Sequence, residues 1–123
     1  MSTLSPRARF RSFCYALEGG VALIFSQPNS RLQAIATVLA IGAGAVLKIS
    51  RPDWLWVCVA IGLVWTAEAF NTAIEFLADE LTREKRDGIK KTKDVAAFAV
   101  LTAAMTSLAI GVFVFVPYLF SGK

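Results

Sequence analysis

Three apolar stretches, each long enough to cross a lipid bilayer, constrain the fold of this chain more than any other feature. They run roughly from Leu32 to Ile49, from Trp54 to Ala78 and from Val95 to Phe120. A helix needs about 20 mostly apolar residues to span the bilayer core. Hydrophobic residues make up 56% of the 123 residues, more than a soluble domain of this size can bury. The sequence therefore predicts an all-α membrane protein, with residues 1–123 forming one unit.

A different helical pattern precedes the first span. From about residue 6 to residue 26, apolar side chains recur on one stripe, and Arg7, Arg11, Tyr15 and Glu18 lie on another. This pattern predicts an amphipathic helix on the membrane surface. Proline and small polar residues then predict two turns, at 27–30 before the first span and at 50–53 before the second.

The distribution of lysine and arginine predicts the orientation in the membrane. One group lies in the amino-terminal segment (Arg7, Arg9, Arg11, Arg31), and a larger one lies between the second and third spans (Arg83, Lys85, Arg86, Lys90, Lys91, Lys93). Lys48, Arg51 and Lys123 are the basic residues predicted on the opposite side of the membrane. The positive-inside rule places the amino terminus and the second loop in the cytoplasm. The net charge of +4 does not require a nucleic-acid partner, because the basic residues can bind anionic lipid headgroups and an anionic substrate.

A row of polar side chains ends the second span. Glu68, Asn71, Glu75 and Asp79 fall within a narrow arc of one helix face, after a segment, Trp54 to Ala67, that contains no charge. Ionisable groups at membrane depth are costly and usually functional. Carboxylates in such a row can bind Mg²⁺ together with substrate phosphates, or accept a proton from a hydroxyl group. The row predicts an acidic site with a cation at the cytoplasmic membrane boundary.

Residue chemistry leaves other interpretations open at this point. The acids could be ion or proton ligands of a small transporter, or could pair structurally with the basic loop. Asp79 could simply be solvated near the interface. The chain contains no histidine and no Gly-x-x-x-x-Gly-Lys-Ser/Thr sequence, so these patterns alone do not point to ATP.

Two motifs resemble those of the small prokaryotic diacylglycerol kinases, a family that includes the undecaprenol kinases. The segment 68–75, followed by Asp79, resembles the first motif, and 93–97 resembles the second at the expected distance. Ser12, Phe13, Ala16 and Gly19 resemble the amino-terminal helix, and 29–31 its entry into the first span. The resemblance extends over roughly residues 12–117.

This resemblance implies a homotrimer that transfers the γ-phosphate of MgATP to a lipid hydroxyl, of undecaprenol or diacylglycerol, at the cytoplasmic face. It implies Glu68 as the catalytic base and Glu75 as a metal ligand. The residues implied to orient these groups or to contact nucleotide are Tyr15, Asn71, Asp79, Glu84, Lys93 and Asp94. The sequences around the motifs favour the undecaprenol branch. A non-catalytic relative or an ion-coupled protein with the same fold is the alternative.

Two positions depart from the family pattern. Gln27 stands where many members have a second metal-binding glutamate, so the metal would lose one negative ligand. An amide oxygen still ligates Mg²⁺. In the second loop, Glu84 is followed by Lys85 and Arg86 where the family often has tyrosine and histidine. The added charge could contact phosphates or lipid headgroups.

Overall fold

Four helices make up the part of the chain that the computed structural model describes, residues 5–120. They are α1 (Pro6–Ser26), α2 (Pro28–Leu47), α3 (Arg51–Leu81) and α4 (Asp87–Phe120). The described residues contain no strand, so the predicted all-helical class is confirmed. The last three helices are long and apolar enough to cross a membrane. Lys123 and the first four residues, to which the orientation prediction also refers, lie outside the described range.

The helix boundaries differ from the predicted ones at the turns. Only Gln27 separates α1 from α2, because Pro28 begins the second helix, a position where its fixed φ is suitable. Likewise, α3 already begins at Arg51, since the Ser50 side chain caps it and Pro52 fits its first turn. The predicted four-residue turns are therefore shorter in both places. The backbone of Lys48, with φ of 52°, ends α2 two residues before the predicted end of the first span.

The most extensive packing joins α3 to α4, which run antiparallel. Where α3 begins, the Tyr118 hydroxyl donates a hydrogen bond of 2.6 Å to Asp53 Oδ2 and accepts one of 2.8 Å from the Ser50 backbone N–H. Beneath this group lies an apolar cluster centred on Ile49, Val57 and Val114. These contacts fix one end of the helix pair, and the opposite end holds the polar row.

Close packing of α2 against α3 depends on Gly44. A Cβ atom at this position would lie 2.6 Å from Trp54 Cη2 and 2.9 Å from Cζ2. Trp54, near the start of α3, thus packs inward against this glycine. Small residues allow such approaches between membrane helices.

We expect Gly44→Ala to lower the free energy of unfolding by about 1–3 kcal/mol, the usual cost of overpacking. The matched control is Gly42→Ala, because no atom of the described residues lies within 4 Å of a Cβ there beyond the neighbouring backbone. Helicity followed during SDS titration of detergent-solubilised protein measures both changes. Equal stability of the two variants would contradict the tight contact.

Candidate functional site

The polar row predicted on the second span lies on α3, and its most buried member is Glu68. This side chain is 1% exposed, and its Oε2 atom has no hydrogen-bond partner among residues 5–120. Asn71, Glu75 and Asp79 are half-buried, and Asn71 Oδ1 is likewise a buried atom without a partner in that range. A buried polar atom without a hydrogen bond is destabilising, so these two atoms require a partner from outside residues 5–120, such as a ligand, an ordered water or another subunit.

Gln27 lies against Glu75, although 48 residues separate them in the chain. Its Nε2 atom donates to Glu75 Oε2 at 3.4 Å. Arg31 fixes the junction, because Nε donates to the Ile24 carbonyl at 3.2 Å and Nη2 to the Phe25 carbonyl at 2.8 Å. The last carbonyl groups of a helix have no hydrogen-bond donor within the helix. Here Arg31, on the next helix, provides the donors. The side chain that departs from the family pattern is thus held beside the proposed metal ligand.

A second contact defines the register of α2 and α3. Trp65 Nε1 donates to Thr37 Oγ1 at 2.9 Å. Thr37 follows Gln27 by ten residues and Trp65 precedes Glu75 by ten, so one antiparallel register holds over this length. The rise per residue is the same in all α-helices, so each residue of α2 between the two contacts can be assigned to the residue of α3 at the same level.

This register places two hydroxyl groups at the same level that the sequence reasoning missed. Ser30 follows Gln27 by three residues, and Thr72 precedes Glu75 by three. Ser30 is 0% exposed and Thr72 is 3% exposed. Within the described residues, neither hydroxyl oxygen has a hydrogen-bond partner. Thr72 could have been found from the helix period, whereas Ser30 has no sequence signal, because only the packing of α2 on α3 brings it here.

A separate, charged cleft lies where α3 connects to α4. Lys93 Nζ and Asp79 Oδ1 form an ion pair of 2.9 Å that joins the two helices. The cleft has a volume of about 490 Å³ and includes the predicted nucleotide residues Glu84 and Asp94. Its other charged side chains are Arg83, Lys85, Arg86 and Lys90. Five cations against three acids give the cleft a positive balance, which is suitable for a polyanion.

The predicted site residues thus form two groups, with one exception. Glu68 and Asn71 share a face of α3 with Glu75, which contacts Gln27 at the α1–α2 junction. Asp79, Glu84, Lys93 and Asp94 line the cleft. Tyr15 is the exception: it lies on α1, is 61% exposed, and forms no hydrogen bond within residues 5–120. The structure does not bring it to either group.

The residues at the junction suit a magnesium ion that also binds phosphates. No group of three or more His, Cys, Asp or Glu side chains within residues 5–120 could hold a metal without other ligands. Glu75 and Gln27 provide one carboxylate and one amide, a small ligand set of the kind that Mg²⁺ completes with phosphates and water. Because Gln27 Nε2 faces Glu75, the amide must rotate before its oxygen can bind the ion.

Comparison with known proteins identifies the family. The family described as prokaryotic diacylglycerol kinase matches residues 14–115. The chain belongs to the prokaryotic diacylglycerol kinase family. The undecaprenol kinase of Bacillus subtilis is 32% identical over 110 residues, which are 89% of each chain. A diacylglycerol kinase of Synechocystis is 31% identical over 111 residues, which are 89% of this chain and 63% of that relative.

Membership of this family confirms the resemblance drawn from the two motifs. The match includes α2 and α3 in full, parts of α1 and α4, and every predicted site residue from Tyr15 to Asp94. Together with the three long apolar helices, it identifies the chain as a multi-pass membrane protein.

Proposed function

We propose that this protein is a lipid kinase that transfers the γ-phosphate of ATP to the hydroxyl group of a membrane lipid. The observation that supports this most is the burial of Glu68, directly after the uncharged segment 54–67 of α3. One of its carboxylate oxygens has no partner among the described residues. An acid in this position can accept the proton of an alcohol that arrives from the membrane. Glu75, next along the same face, and Gln27, which contacts it, would meet the phosphates of the nucleotide.

In the proposed reaction, one group of residues takes part in proton transfer and metal binding, and the other binds the phosphates of the nucleotide. Glu68 takes the proton of the lipid hydroxyl, and the oxygen attacks the γ-phosphorus as the bond to the β,γ-bridging oxygen breaks. The cleft with Lys93 binds the remaining phosphates, near Asp79, Glu84 and Asp94. A magnesium ion held by Glu75 and Gln27 would neutralise phosphate charge. Such a reaction requires mainly positioning and charge neutralisation from the protein.

Undecaprenol is the acceptor that we propose first, with diacylglycerol second. The Bacillus subtilis relative, matched over 89% of both chains, is named an undecaprenol kinase. The Synechocystis relative, of which only 63% is matched, is named a diacylglycerol kinase. The sequence around the motifs also favours the undecaprenol branch.

Transfer of labelled phosphate to a panel of lipids tests this function. Purified protein in detergent micelles with Mg²⁺ and γ-labelled ATP is given undecaprenol, diacylglycerol or a straight-chain alcohol, and the lipid extract is measured. We expect label in undecaprenol above all. Label in diacylglycerol alone would reverse the order of acceptors, and an unlabelled extract in every case would contradict the lipid-kinase function.

We propose further that the protein is a homotrimer, that α1 lies on the cytoplasmic membrane surface, and that the connection between α3 and α4 is cytoplasmic. The exposed apolar side chains of α1, among them Phe10, Phe13 and Leu17, support a helix in contact with lipid. The positive charge of the α3–α4 connection supports its orientation. Chemical cross-linking in the membrane tests the trimer.

Labelling of single cysteines tests the orientation. In a variant without Cys14 and Cys58, a cysteine at Glu84 should react with a membrane-impermeant thiol reagent only after the cells are opened. A cysteine at Arg51, at the opposite end of α3, should react in intact cells. Labelling of both positions from the same side would contradict the topology.

A further inference from the structure

Ser30 and Thr72 are buried helical hydroxyl groups that differ from four others in this protein. Ser12, Thr37, Thr92 and Thr102 each donate to the carbonyl four residues earlier, at 2.8–3.1 Å. This is the usual way in which a helix satisfies such a side chain. Ser30 and Thr72 are more buried than these four, yet within residues 5–120 their oxygens have no partner.

Their position is midway between the proposed base and the proposed metal ligand. Thr72 follows Glu68 by four residues and precedes Glu75 by three, so it shares their face, at about 6 Å and 4.5 Å along the helix axis. Ser30 lies at the same level on α2. A phosphoryl group that passes from a nucleotide near Glu75 to an alcohol near Glu68 must cross this level.

The buried polar atoms can form hydrogen bonds with both the alcohol and the phosphoryl group. Glu68 Oε2 accepts a hydrogen bond, which an alcohol donates, whereas the two hydroxyls can donate to phosphoryl oxygens. We propose that Ser30 and Thr72 contact the substrate and donate hydrogen bonds to the non-bridging oxygens of the γ-phosphoryl group during transfer. The inference rests on the proposed kinase function and adds two residues to its site.

The transfer requires no reactant other than the lipid alcohol and ATP. The lipid O–H proton goes to Glu68, the lipid oxygen forms the new bond to phosphorus, and ADP leaves with the electron pair of the broken bond. Ser30 and Thr72 keep their protons. Donors directed at developing charge stabilise a transition state more than the ground state. Both hydroxyls are closed to solvent, so access of the phosphoryl group requires the surrounding helices to move. The packing of α1 is sparse, since Leu23 is the one buried side chain of that helix.

The test compares variants that remove a hydroxyl with variants that keep it. We expect Thr72→Val and Ser30→Ala each to lower kcat by about 10²-fold, the effect of losing one such donor, with KM for ATP changed by less than about twofold. Thr72→Ser should restore most of kcat. Thr66→Val is the matched control, because Thr66 is exposed on the same helix and its variant should keep the normal rate.

Binding of a phosphoryl analogue provides a second readout. Titration calorimetry with MgADP alone should give the same Kd for wild type and Thr72→Val. With aluminium fluoride added, the variant should bind more weakly by a factor similar to its loss in kcat. Normal kcat in Thr72→Val and Ser30→Ala would overturn the proposal, as would equal loss in Thr72→Ser and Thr72→Val. If wild type phosphorylates its lipid in these experiments, that failure leaves the kinase function intact.

Discussion

Replacement of Glu68 by glutamine should lower kcat by about 10²–10⁴-fold, the usual contribution of a general base. Glutamine keeps the shape of the side chain and removes its ability to accept the proton of the lipid hydroxyl. Because Glu68 is almost fully buried, the variant also removes a charge from an apolar environment and should fold at least as well. Initial rates at saturating ATP and lipid measure the effect.

Glu80→Gln is the control for this experiment. Glu80 is an exposed acid on the same helix, outside the row, so its variant should keep its activity. Circular dichroism and gel filtration of both variants separate a loss of chemistry from a loss of structure. A nearly normal kcat in folded Glu68→Gln would contradict the assignment of the base.

The second large effect is expected at Glu75. We expect Glu75→Gln to lower activity by roughly 10³-fold, because charge stabilisation through a metal ion is worth several kcal/mol. Gln27→Glu should act in the opposite direction and reduce the Mg²⁺ concentration at half-maximal rate. Its added carboxylate lies next to Glu75 and restores the second anionic ligand.

Titration of Mg²⁺ at fixed ATP distinguishes these variants. An unchanged Mg²⁺ midpoint in Gln27→Glu, together with an active Glu75→Gln, would show that neither residue binds the metal. A higher midpoint in Gln27→Glu would mean that the added charge repels the nucleotide. Gln27→Ala is the matched control, since it removes the amide without adding charge and should raise the midpoint.

Much of the fold could be predicted because the bilayer imposes simple requirements on sequence. Long apolar stretches predicted the three spanning helices, and the helix period predicted a shared face for Glu68 and Glu75. Hydropathy finds only the apolar part of a helix, however. It therefore began the third span at Val95, whereas α4 begins at Asp87 and its first two turns are polar.

The contacts between helices could not be predicted in the same way. The shared level of Ser30 and Thr72 depends on how α2 is placed along α3. That placement follows from the contacts of Gln27 and Thr37 rather than from any local pattern. Family resemblance did identify Gln27 as a departure, and the structure places it beside Glu75. Tyr15, inferred from the same resemblance, remains a prediction, because no hydrogen bond within residues 5–120 joins it to the site.

The one-residue connection at Gln27 limits how the length of this chain can vary in evolution. Connections between helices normally tolerate insertions, because extra residues extend into solvent. Here the connecting residue also contributes its side chain to the site, and an inserted residue would turn that side chain away from Glu75. We expect insertions and deletions among relatives to occur at residues 82–86, between α3 and α4, and to be absent at position 27.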